Sequence, residues 1–550
     1  MIVNNTQGIS FATGHRLELD GYSLSIEDVV AVARGSGEVD SVLSSESIKR
    51  IQASCHLKNK LIQKEIPIYG VTTGFGDSAD RQTSSVKAAQ LQHNLLRFLG
   101  NGTGHPSPLE VVRATILVRA NCLAKGNSGV RPELLERILY YLNNDILPLI
   151  PERGSCGASG DLVPLSYLGA LLVGEGKMMN RGVARDINAV LDEHELAPLE
   201  LEAKEGLAIT NGTSFLSAFA VLAAWDATKL AFVADVCTGM ASEALLGNRG
   251  HFNSFLYEQK PHPGQIESTK LISALLADSQ LSRDSEEIFS GENLGEKDFR
   301  QLKCKVQDKY SVRCAPHVVG VLRDTLVWVR RWIEIEINSS NDNPLFDVES
   351  GRVHSGGNFY GGHIAQAMDS LKVAVANIAD LLDRQLELVV DEKFNNGLTP
   401  NLIPFFAEDD PEAGLHHGFK GMQLACSAMA AEALKLSNPA SVFSRSTESH
   451  NQDKVSMGSI AARDARAIVE LTQNVTAIHL LALCQALDLR GTEGMSQKTR
   501  AVYELVRKRV PFLDRDRYME EDIKQVLVLL HSEELEEAVL LEQESAAMTS

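Results

Sequence analysis

The 550-residue chain lacks the patterns that mark metal-binding, disulfide-rich and nucleic-acid-binding proteins. Its 8 cysteines are scattered, with no Cys-x-x-Cys pair and no Cys/His spacing typical of zinc, so neither a zinc centre nor a disulfide framework is expected. Basic residues are in deficit, with 53 Lys and Arg against 72 Asp and Glu and a net charge of -19. Because phosphate binding needs clustered cations, this balance argues against nucleic acid as a partner.

Targeting and membrane signals are also sparse. The start, MIVNNTQGISFATG, has no basic region followed by an apolar one, so no signal peptide is predicted. No segment reaches the roughly 18 uninterrupted apolar residues that span a bilayer. The nearest candidate, 214–232, is interrupted by Asp226 and Lys229 and is interpreted as a buried helix. A cytoplasmic enzyme or binding protein is therefore expected.

Helical periodicity dominates what is present. Apolar residues recur at spacings of three and four in 107–126, 364–390 and 462–491, and few charges interrupt the middles of these stretches. Such helices are typical of the centre of a large bundle. Strand signals are few, with 67-PIYGVT-72 as one candidate. A polar stretch before residue 206 predicts an N-terminal domain over 1–203, followed by a helical-bundle domain over 204–550 that ends in an acidic helix and tail.

The most unusual short motif is 154-GSCGASGD-161. It is not a P-loop, because Asp161 stands where Lys is required, and it lacks the Rossmann glycine spacing. Neither Ser155 nor Ser159 lies in a GxSxG hydrolase motif. By composition alone the motif is a glycine-rich loop.

Six other stretches change that interpretation when they are considered together. They are 69-YGVTTGFG-76, 205-EGLAITNGTS-214, 307-QDKYSVRCAPHVVG-320, 339-SSNDNPLFD-347, 356-GGNFYG-361 and 447-TESHNQDKVSMG-458. Together with GSCGASGD they resemble the signatures of the aromatic amino acid lyase family, which contains histidine, phenylalanine and tyrosine ammonia-lyases and related aminomutases. The resemblance implies a mainly α ammonia-lyase/fumarase-like fold with a long central helical bundle, assembled as a homotetramer with shared active sites.

The resemblance also implies a prosthetic group made from the chain. In the family an Ala-Ser-Gly triad, here Ala158, Ser159 and Gly160, cyclises with loss of two waters to 4-methylidene-imidazol-5-one (MIO). Gly160 lacks a Cβ and can bend into the approach, while Ser159 has the hydroxyl whose elimination leaves the methylidene. No metal and no external cofactor are then expected.

Further residues take roles by the same resemblance. Tyr69 matches the base that removes the substrate's β proton, and since free tyrosine has a pKa of about 10, nearby positive character is expected to activate it. Arg313 resembles the carboxylate clamp; from the residues alone it could equally be a surface ion-pair residue. The other matches are Tyr310 and Glu448 as catalytic residues, and Gln307, Asn211, Asn358, Phe359, Lys420 and Gln452 as substrate-binding residues.

Ring selectivity is assigned to Phe98 and Leu99. Family members that use tyrosine or histidine tend to carry His at the Phe98 position, whereas Phe-Leu is associated with phenylalanine. A substrate hydroxyl facing these side chains would lose water without a new partner, at a cost of about 1–3 kcal/mol. Leu162 and Leu207 are expected to add apolar contact.

The predicted reaction is elimination of ammonia from L-phenylalanine to give trans-cinnamate. Tyrosine ammonia-lyase and phenylalanine 2,3-aminomutase remain alternatives on the same scaffold. A third alternative is an inactive structural relative, which the presence of both the triad and Tyr69 disfavours.

Overall fold

The computed structural model describes residues 15–35, 39–290, 294–302 and 306–540. The contacts of the chain divide it into two compact units. Unit 1 contains 1–225, 328–369 and 439–466, and unit 2 contains 226–327, 370–438 and 467–550. Each unit is thus assembled from three chain segments, whereas the predicted domains, 1–203 and 204–550, divide the chain once; that division stays a prediction.

The described residues are mainly helical, as predicted. The α-helices are α1 (Ile26–Arg34), α2 (Ser45–Gln63), α3 (Ala88–Leu99), α4 (Leu109–Ala124), α5 (Pro132–Asn143), α6 (Leu162–Leu172), α7 (Ile187–Glu193), α8 (Glu205–Thr210), α9 (Ser214–Ala244), α10 (Ser254–Glu258), α11 (Pro263–Leu275), α12 (Ser285–Phe289), α13 (Tyr310–Arg313), α14 (Ala315–Ile337), α15 (Gly362–Val390), α16 (Lys420–Leu436), α17 (Gly458–Arg490), α18 (Gln497–Arg509), α19 (Glu520–His531) and α20 (Glu534–Leu540).

The strands are short and form small sheets. They are β1 (His15–Leu19), β2 (Val39–Leu43), β3 (Thr103–Pro106), β4 (Ile146–Pro148), β5 (Pro151–Arg153), β6 (Met178–Asn180), β7 (Val183–Arg185), β8 (Leu345–Asp347) and β9 (Arg352–His354). β1 pairs with β2 in parallel, and the pairs β3–β5, β4–β6, β6–β7 and β8–β9 are antiparallel. The antiparallel β3–β5 pair ends at Arg153, directly before the glycine-rich motif.

The three long helices predicted from periodicity are confirmed as α4, α15 and α17. α4 is buried on every side from Val111 to Ala124, as expected for the centre of a helical core. α9 and α17 are long and apolar enough to cross a membrane by length and composition, but 83% and 78% of their most apolar windows are buried inside the structure. That burial is the pattern of core helices.

The structure differs from the prediction at 67–72 and agrees with it at the C-terminal helix. The strand predicted at 67–72 is wrong: Ile68 to Thr72 form turns, because Val71 N and Thr72 N both donate to the Ile68 carbonyl. The acidic C-terminal helix is confirmed as α20, while the predicted tail at 541–550 lies outside the described residues.

Candidate active site

A pocket of about 410 Å³ lies within unit 1 and gathers many of the predicted site residues. Those that line it are Tyr69, Phe98, Leu99, Ser159, Leu162, Leu207, Asn211, Glu448 and Gln452. Its other lining residues are Gly74, Phe75, Gly76, Asp77, Ser78, Leu91 and Leu95. None of the second group was named as a site residue from the sequence, although Gly74, Phe75 and Gly76 belong to the YGVTTGFG motif around Tyr69.

One end of the pocket is apolar and rests on helices. Leu95, Leu99 and Leu207 form a buried cluster, against which Tyr69, Phe75 and Leu162 pack. The rings of Phe75 and Phe98 lie 6.5 Å apart between centroids. Leu91, Leu95 and Leu99 follow one another at four-residue intervals on α3, so one face of that helix supplies much of this wall. That spacing was the sequence signal that could have identified Leu91 and Leu95.

The opposite end contains the Ala-Ser-Gly triad. Ser159 has φ 54° and Gly160 has φ 77°, so two consecutive residues adopt the left-handed conformation. A Cβ at Gly160 would lie 2.1 Å from the Gly212 oxygen, so only glycine fits there. Ala158 is buried against Val455 and Met457. The loop therefore has the tight, side-chain-free backbone at Gly160 that cyclisation requires.

The break between α8 and α9 holds the triad in place. Asn211 Nδ2 donates to the backbone carbonyl oxygen of Ser159 at 3.0 Å, and Asp161 N donates to the carbonyl oxygen of Gly212 at 2.7 Å. Gly160 and Gly212 form a parallel bridge. Asn211 is 3% exposed, and its Oδ1 has no partner among the described residues. That oxygen is a buried hydrogen-bond acceptor beside the triad and is not exposed to the pocket.

Two buried carboxyl groups lie behind this loop. Asp161 accepts hydrogen bonds from Ser155 Oγ at 2.9 Å, from Leu216 N at 2.8 Å and from Ser459 Oγ. Burial nevertheless raises the pKa of Asp161 to about 6. Glu336 on α14 accepts from Thr213 Oγ1 at 2.5 Å, and burial raises its pKa to about 7. Asp161 connects the triad loop to the starts of α9 and α17, and Glu336 holds Thr213 before α9.

Tyr69 lies beside the apolar cluster with its hydroxyl toward the glycine loop. The hydroxyl accepts a hydrogen bond from Gly76 N at 2.9 Å. Burial raises the pKa of Tyr69 and the charge of Glu448 raises it further, while the Gly76 N–H lowers it. The described lining of this pocket contains no Lys or Arg, and the Gly76 N–H is the group there that lowers the pKa of Tyr69.

Glu448 lies in a tight turn before α17. Its Oε1 accepts from Asp77 N at 2.9 Å, and its Oε2 accepts from Asn451 Nδ2 at 2.8 Å. A Cβ at Gly76 would lie only 2.0 Å from this carboxylate, which explains the glycine at that position. Gln452 Nε2 donates to Ser159 Oγ at 3.2 Å, so the same turn also reaches the triad.

The remaining predicted residues do not line this pocket. Asn358 is exposed, and its Nδ2 donates to the Ser340 oxygen at 3.2 Å, while Phe359 follows it in the same loop of unit 1. In unit 2, Tyr310 is 71% exposed and its ring lies 4.6 Å from the Arg313 guanidinium. Gln307 precedes the helix α13 rather than lying on it, and Lys420 is exposed at the start of α16. Their assigned roles stay predictions.

The described residues contain no ligand set for a metal ion. Within the ranges that the structure describes, no group of three or more His, Cys, Asp or Glu residues could hold a metal ion. The pocket instead combines an apolar wall, a phenol, a carboxylate and a strained Ala-Ser-Gly loop. Such a set suits proton removal from an aromatic substrate bound beside an electrophile.

Comparison with known proteins identifies relatives over nearly the whole chain. The family model "Aromatic amino acid lyase" matches residues 24–508. A histidine ammonia-lyase of Gloeobacter violaceus is 40% identical over 524 residues, covering 95% of this chain and 97% of that protein. An MIO-dependent tyrosine 2,3-aminomutase of Streptomyces globisporus is 39% identical over 534 residues, covering 96% and 97%.

Solved structures share the fold. The tyrosine aminomutase from Streptomyces globisporus matches with a TM-score of 0.89 at 38% identity, covering 95% of this chain and 98% of that one. The phenylalanine aminomutase of Pantoea agglomerans matches with a TM-score of 0.88 at 32% identity, covering 94% and 99%. These proteins share one fold and differ in the substrate that each is named for.

Proposed function

Because the chain belongs to the aromatic amino acid lyase family, we propose that it eliminates ammonia from L-phenylalanine to give trans-cinnamate. The observation that carries the choice of substrate is the apolar wall formed by Phe75, Leu91, Leu95, Phe98, Leu99, Leu162 and Leu207. None of these side chains has a hydrogen-bonding atom. An imidazole or a phenol placed there would lose water without a new partner, which costs about 1–3 kcal/mol.

The triad fits the prosthetic group that the family uses. Gly160 has no room for a side chain. Ser159 adopts a left-handed conformation, and its backbone carbonyl oxygen accepts a hydrogen bond from the Asn211 side chain. Ala158, Ser159 and Gly160 would form MIO, and this electrophile would take up the substrate amine and make it a better leaving group.

The chain's own residues would orient the substrate and move its proton. Tyr69, which packs against the apolar cluster, would take the β proton of a substrate whose ring lies on that cluster. The Gly76 N–H stabilises the phenolate that must form first. Glu448 would offer a carboxylate acceptor to the ammonium group.

The substrate carboxylate needs a cation that this pocket does not supply from its described lining. Arg313 is the residue proposed for that role, with Tyr310 and Gln307 beside it, Lys420 close to the substrate, and Asn358 and Phe359 beside the prosthetic ring. A homotetramer in which partner copies complete each site would deliver them, and the exposure of Tyr310 suits such a role.

The product formed from L-phenylalanine tests this proposal. Cinnamate should appear with ammonia, and kcat/KM for phenylalanine should exceed that for tyrosine and histidine. Faster turnover of tyrosine or histidine would overturn the choice of substrate. Failure of the peptide containing residues 154–161 to lose two waters would overturn the enzyme assignment itself.

A second candidate reaction is supported by the similarity to aminomutases. The relatives named as tyrosine and phenylalanine aminomutases match the fold at TM-scores of 0.89 and 0.88. In that reaction the amine returns to the β carbon instead of leaving. Chromatography for β-phenylalanine in the same assay separates the two reactions.

A further inference from the structure

Arg119 on α4 is a fully buried cation behind the triad loop. The residue is 0% exposed, and its Nη1 donates to the backbone carbonyl oxygen of Asn211 at 2.9 Å. Among the residues that the structure describes, its Nε and Nη2 find no acceptor. Burying a charge with a single partner is unfavourable, and an apolar side chain would fill the same space without that cost. The hydrogen bond to Asn211 is therefore the contact that can explain why a cation is buried at this position.

The segment that Arg119 contacts is the one that pairs with the triad. A Cβ at Gly212 would lie 1.8 Å from Arg119 Nη1, so the guanidinium rests directly on the Gly212 backbone. On the other side of the segment, a Cβ at Gly160 would lie 2.1 Å from the Gly212 oxygen. The Asn211–Gly212 backbone is thus clamped between the guanidinium and Gly160.

Asn341 and Glu336 support the same segment. Asn341 Nδ2 donates to Thr213 Oγ1 at 2.7 Å, and Thr213 Oγ1 donates to Glu336. The Asn341 Oδ1 would lie 2.7 Å from a Cβ at Gly212. Thr213 is thus held by a neutral amide and a carboxyl group. Arg119 adds a cation in direct contact with the Asn211–Gly212 peptide.

We propose that Arg119 is a positioning residue for the self-cyclisation of the triad. By fixing Asn211 and Gly212, it keeps the Gly160 nitrogen close to the carbonyl carbon of Ala158. The inference rests on the proposed function, because it requires that residues 158–160 form the prosthetic ring.

The bond changes balance without any added reagent. The Gly160 nitrogen bonds to the Ala158 carbonyl carbon, and the Ala158 oxygen leaves as water with one hydrogen from the Gly160 nitrogen and one from the Ser159 nitrogen. The second water takes the Ser159 hydroxyl and the hydrogen on the Ser159 Cα. Both steps are intramolecular, so their rate depends on how closely the reacting atoms are held. A misplacement of about 1 Å can slow such a reaction about a hundredfold.

The test follows the triad peptide by mass in full-length protein made by cell-free translation. In the wild type, the peptide containing residues 154–161 should lose two waters. In Arg119→Met we expect this product to accumulate about a hundredfold more slowly. Arg119→Lys, which keeps the charge and can reach one acceptor, should give an intermediate rate. Circular dichroism and thermal melting report the fold separately.

Arg113 provides a matched control on the same helix. It is 8% exposed, and its guanidinium bonds to Asp145 at 2.8 Å and to the Ala33 carbonyl oxygen at 3.2 Å, so both of these partners lie outside the triad loop. Arg113→Met should lower Tm yet leave cyclisation at the wild-type rate.

The outcomes separate the possible failures. Full cyclisation at the wild-type rate in folded Arg119→Met overturns the inference, and if that variant does not fold, the same result in Arg119→Lys overturns it. Equal slowing in Arg113→Met would mean that general destabilisation is the cause, which also overturns it. A wild-type peptide that keeps both waters would instead overturn the proposed function.

Discussion

The two ends of the pocket are built in different ways, although both lie in unit 1. The apolar end uses helices: Leu91, Leu95 and Leu99 lie on one face of α3, with Leu162 on α6 and Leu207 on α8. The reacting end uses loops and turns: backbone N–H groups bind the side chains of Tyr69 and Glu448, and the Asn211 side chain binds the Ser159 carbonyl oxygen. Side-chain replacement should therefore alter substrate choice easily, while the reacting end depends on backbone conformation.

The backbone of the reacting end is strained. Ser159, Glu448, Ser449 and His450 all have φ between 53° and 64°. A non-glycine residue costs roughly 1–2 kcal/mol in this conformation. The apolar end bears no such cost, because its leucines and Phe98 lie in helices and its buried residues gain free energy from burial. Strain at functional loops is compensated by packing elsewhere in the fold.

Ser159→Ala should break the reacting end most severely. The variant lacks the hydroxyl that leaves as the second water, so no methylidene can form. We expect kcat to fall at least about a thousandfold, with Tm unchanged within a few degrees. Cinnamate formation and the mass of the triad peptide measure the two effects. Retained activity would show that the triad is not the electrophile.

Tyr69→Phe should remove proton abstraction while leaving the triad able to cyclise. Loss of a general base typically costs about 10²–10⁴-fold in kcat. The triad peptide should still lose two waters. Tyr140→Phe is the control, because the Tyr140 hydroxyl contacts His194 outside the pocket. A loss of activity in the control equal to that in Tyr69→Phe would contradict the assignment.

Glu336→Gln tests the buried charge behind the reacting end. The pKa of Glu336 is raised from 4.5 to about 7, so the folded protein keeps a proton that the unfolded chain releases. Stability is therefore lost as pH rises from about 4.5 to about 7, by an amount on the order of 3 kcal/mol at 1.36 kcal/mol per pKa unit.

The Gln variant has no proton to lose, so its Tm should fall less than that of the wild type between pH 5 and pH 8. Asp161, whose pKa is raised to about 6, remains in the variant and leaves part of the dependence in place. An unchanged difference in Tm would show that Glu336 does not contribute. Melting curves at the two pH values, followed by circular dichroism, provide the measurement.

The same contrast explains what could be predicted from sequence. Periodicity located α4, α15 and α17, because long apolar repeats depend only on local spacing. It failed at 67–72, where β-branched and aromatic residues favoured a strand but Gly70 and hydrogen bonds to the Ile68 carbonyl produce turns. Family motifs brought Tyr69, Ser159 and Gln452 into the predicted site, and the structure gathers them in one pocket.

Contacts between residues that are distant in sequence could not be predicted. Arg119 and Glu336 reach the Asn211–Thr213 segment from 92 and 123 positions away, and no local pattern distinguishes them from other charged residues on helices. Leu91 and Leu95 had a usable local signal, their spacing with Leu99. The proposed role of Arg313 would require an assembly of several chains, which the sequence of one chain indicates only by resemblance.

Phe98→His tests the apolar end alone. A histidine there offers a partner to a substrate hydroxyl, so the ratio of kcat/KM for phenylalanine over tyrosine should fall about tenfold to a hundredfold. MIO formation should be unaffected. His93→Ala is the control: His93 lies on the same helix but does not line the pocket, so the ratio should stay constant. A fall in the control, or none in Phe98→His, would contradict the assigned selectivity.

Glu448→Gln should give the smallest effect, and it acts within the reacting end. Burial is the main cause of the raised pKa of Tyr69, and the Glu448 charge adds to it. Removing that charge lowers the pKa of Tyr69, so the phenolate forms at lower pH and the rising limb of the kcat/KM profile should move to lower pH. The height of the profile also falls if Glu448 contacts the amine, so the position of the limb is the measurement. His93→Ala serves as the comparison, because His93 does not line the pocket and its loss should leave the limb in place. A shift toward higher pH in Glu448→Gln would show that Tyr69 is not the group that titrates.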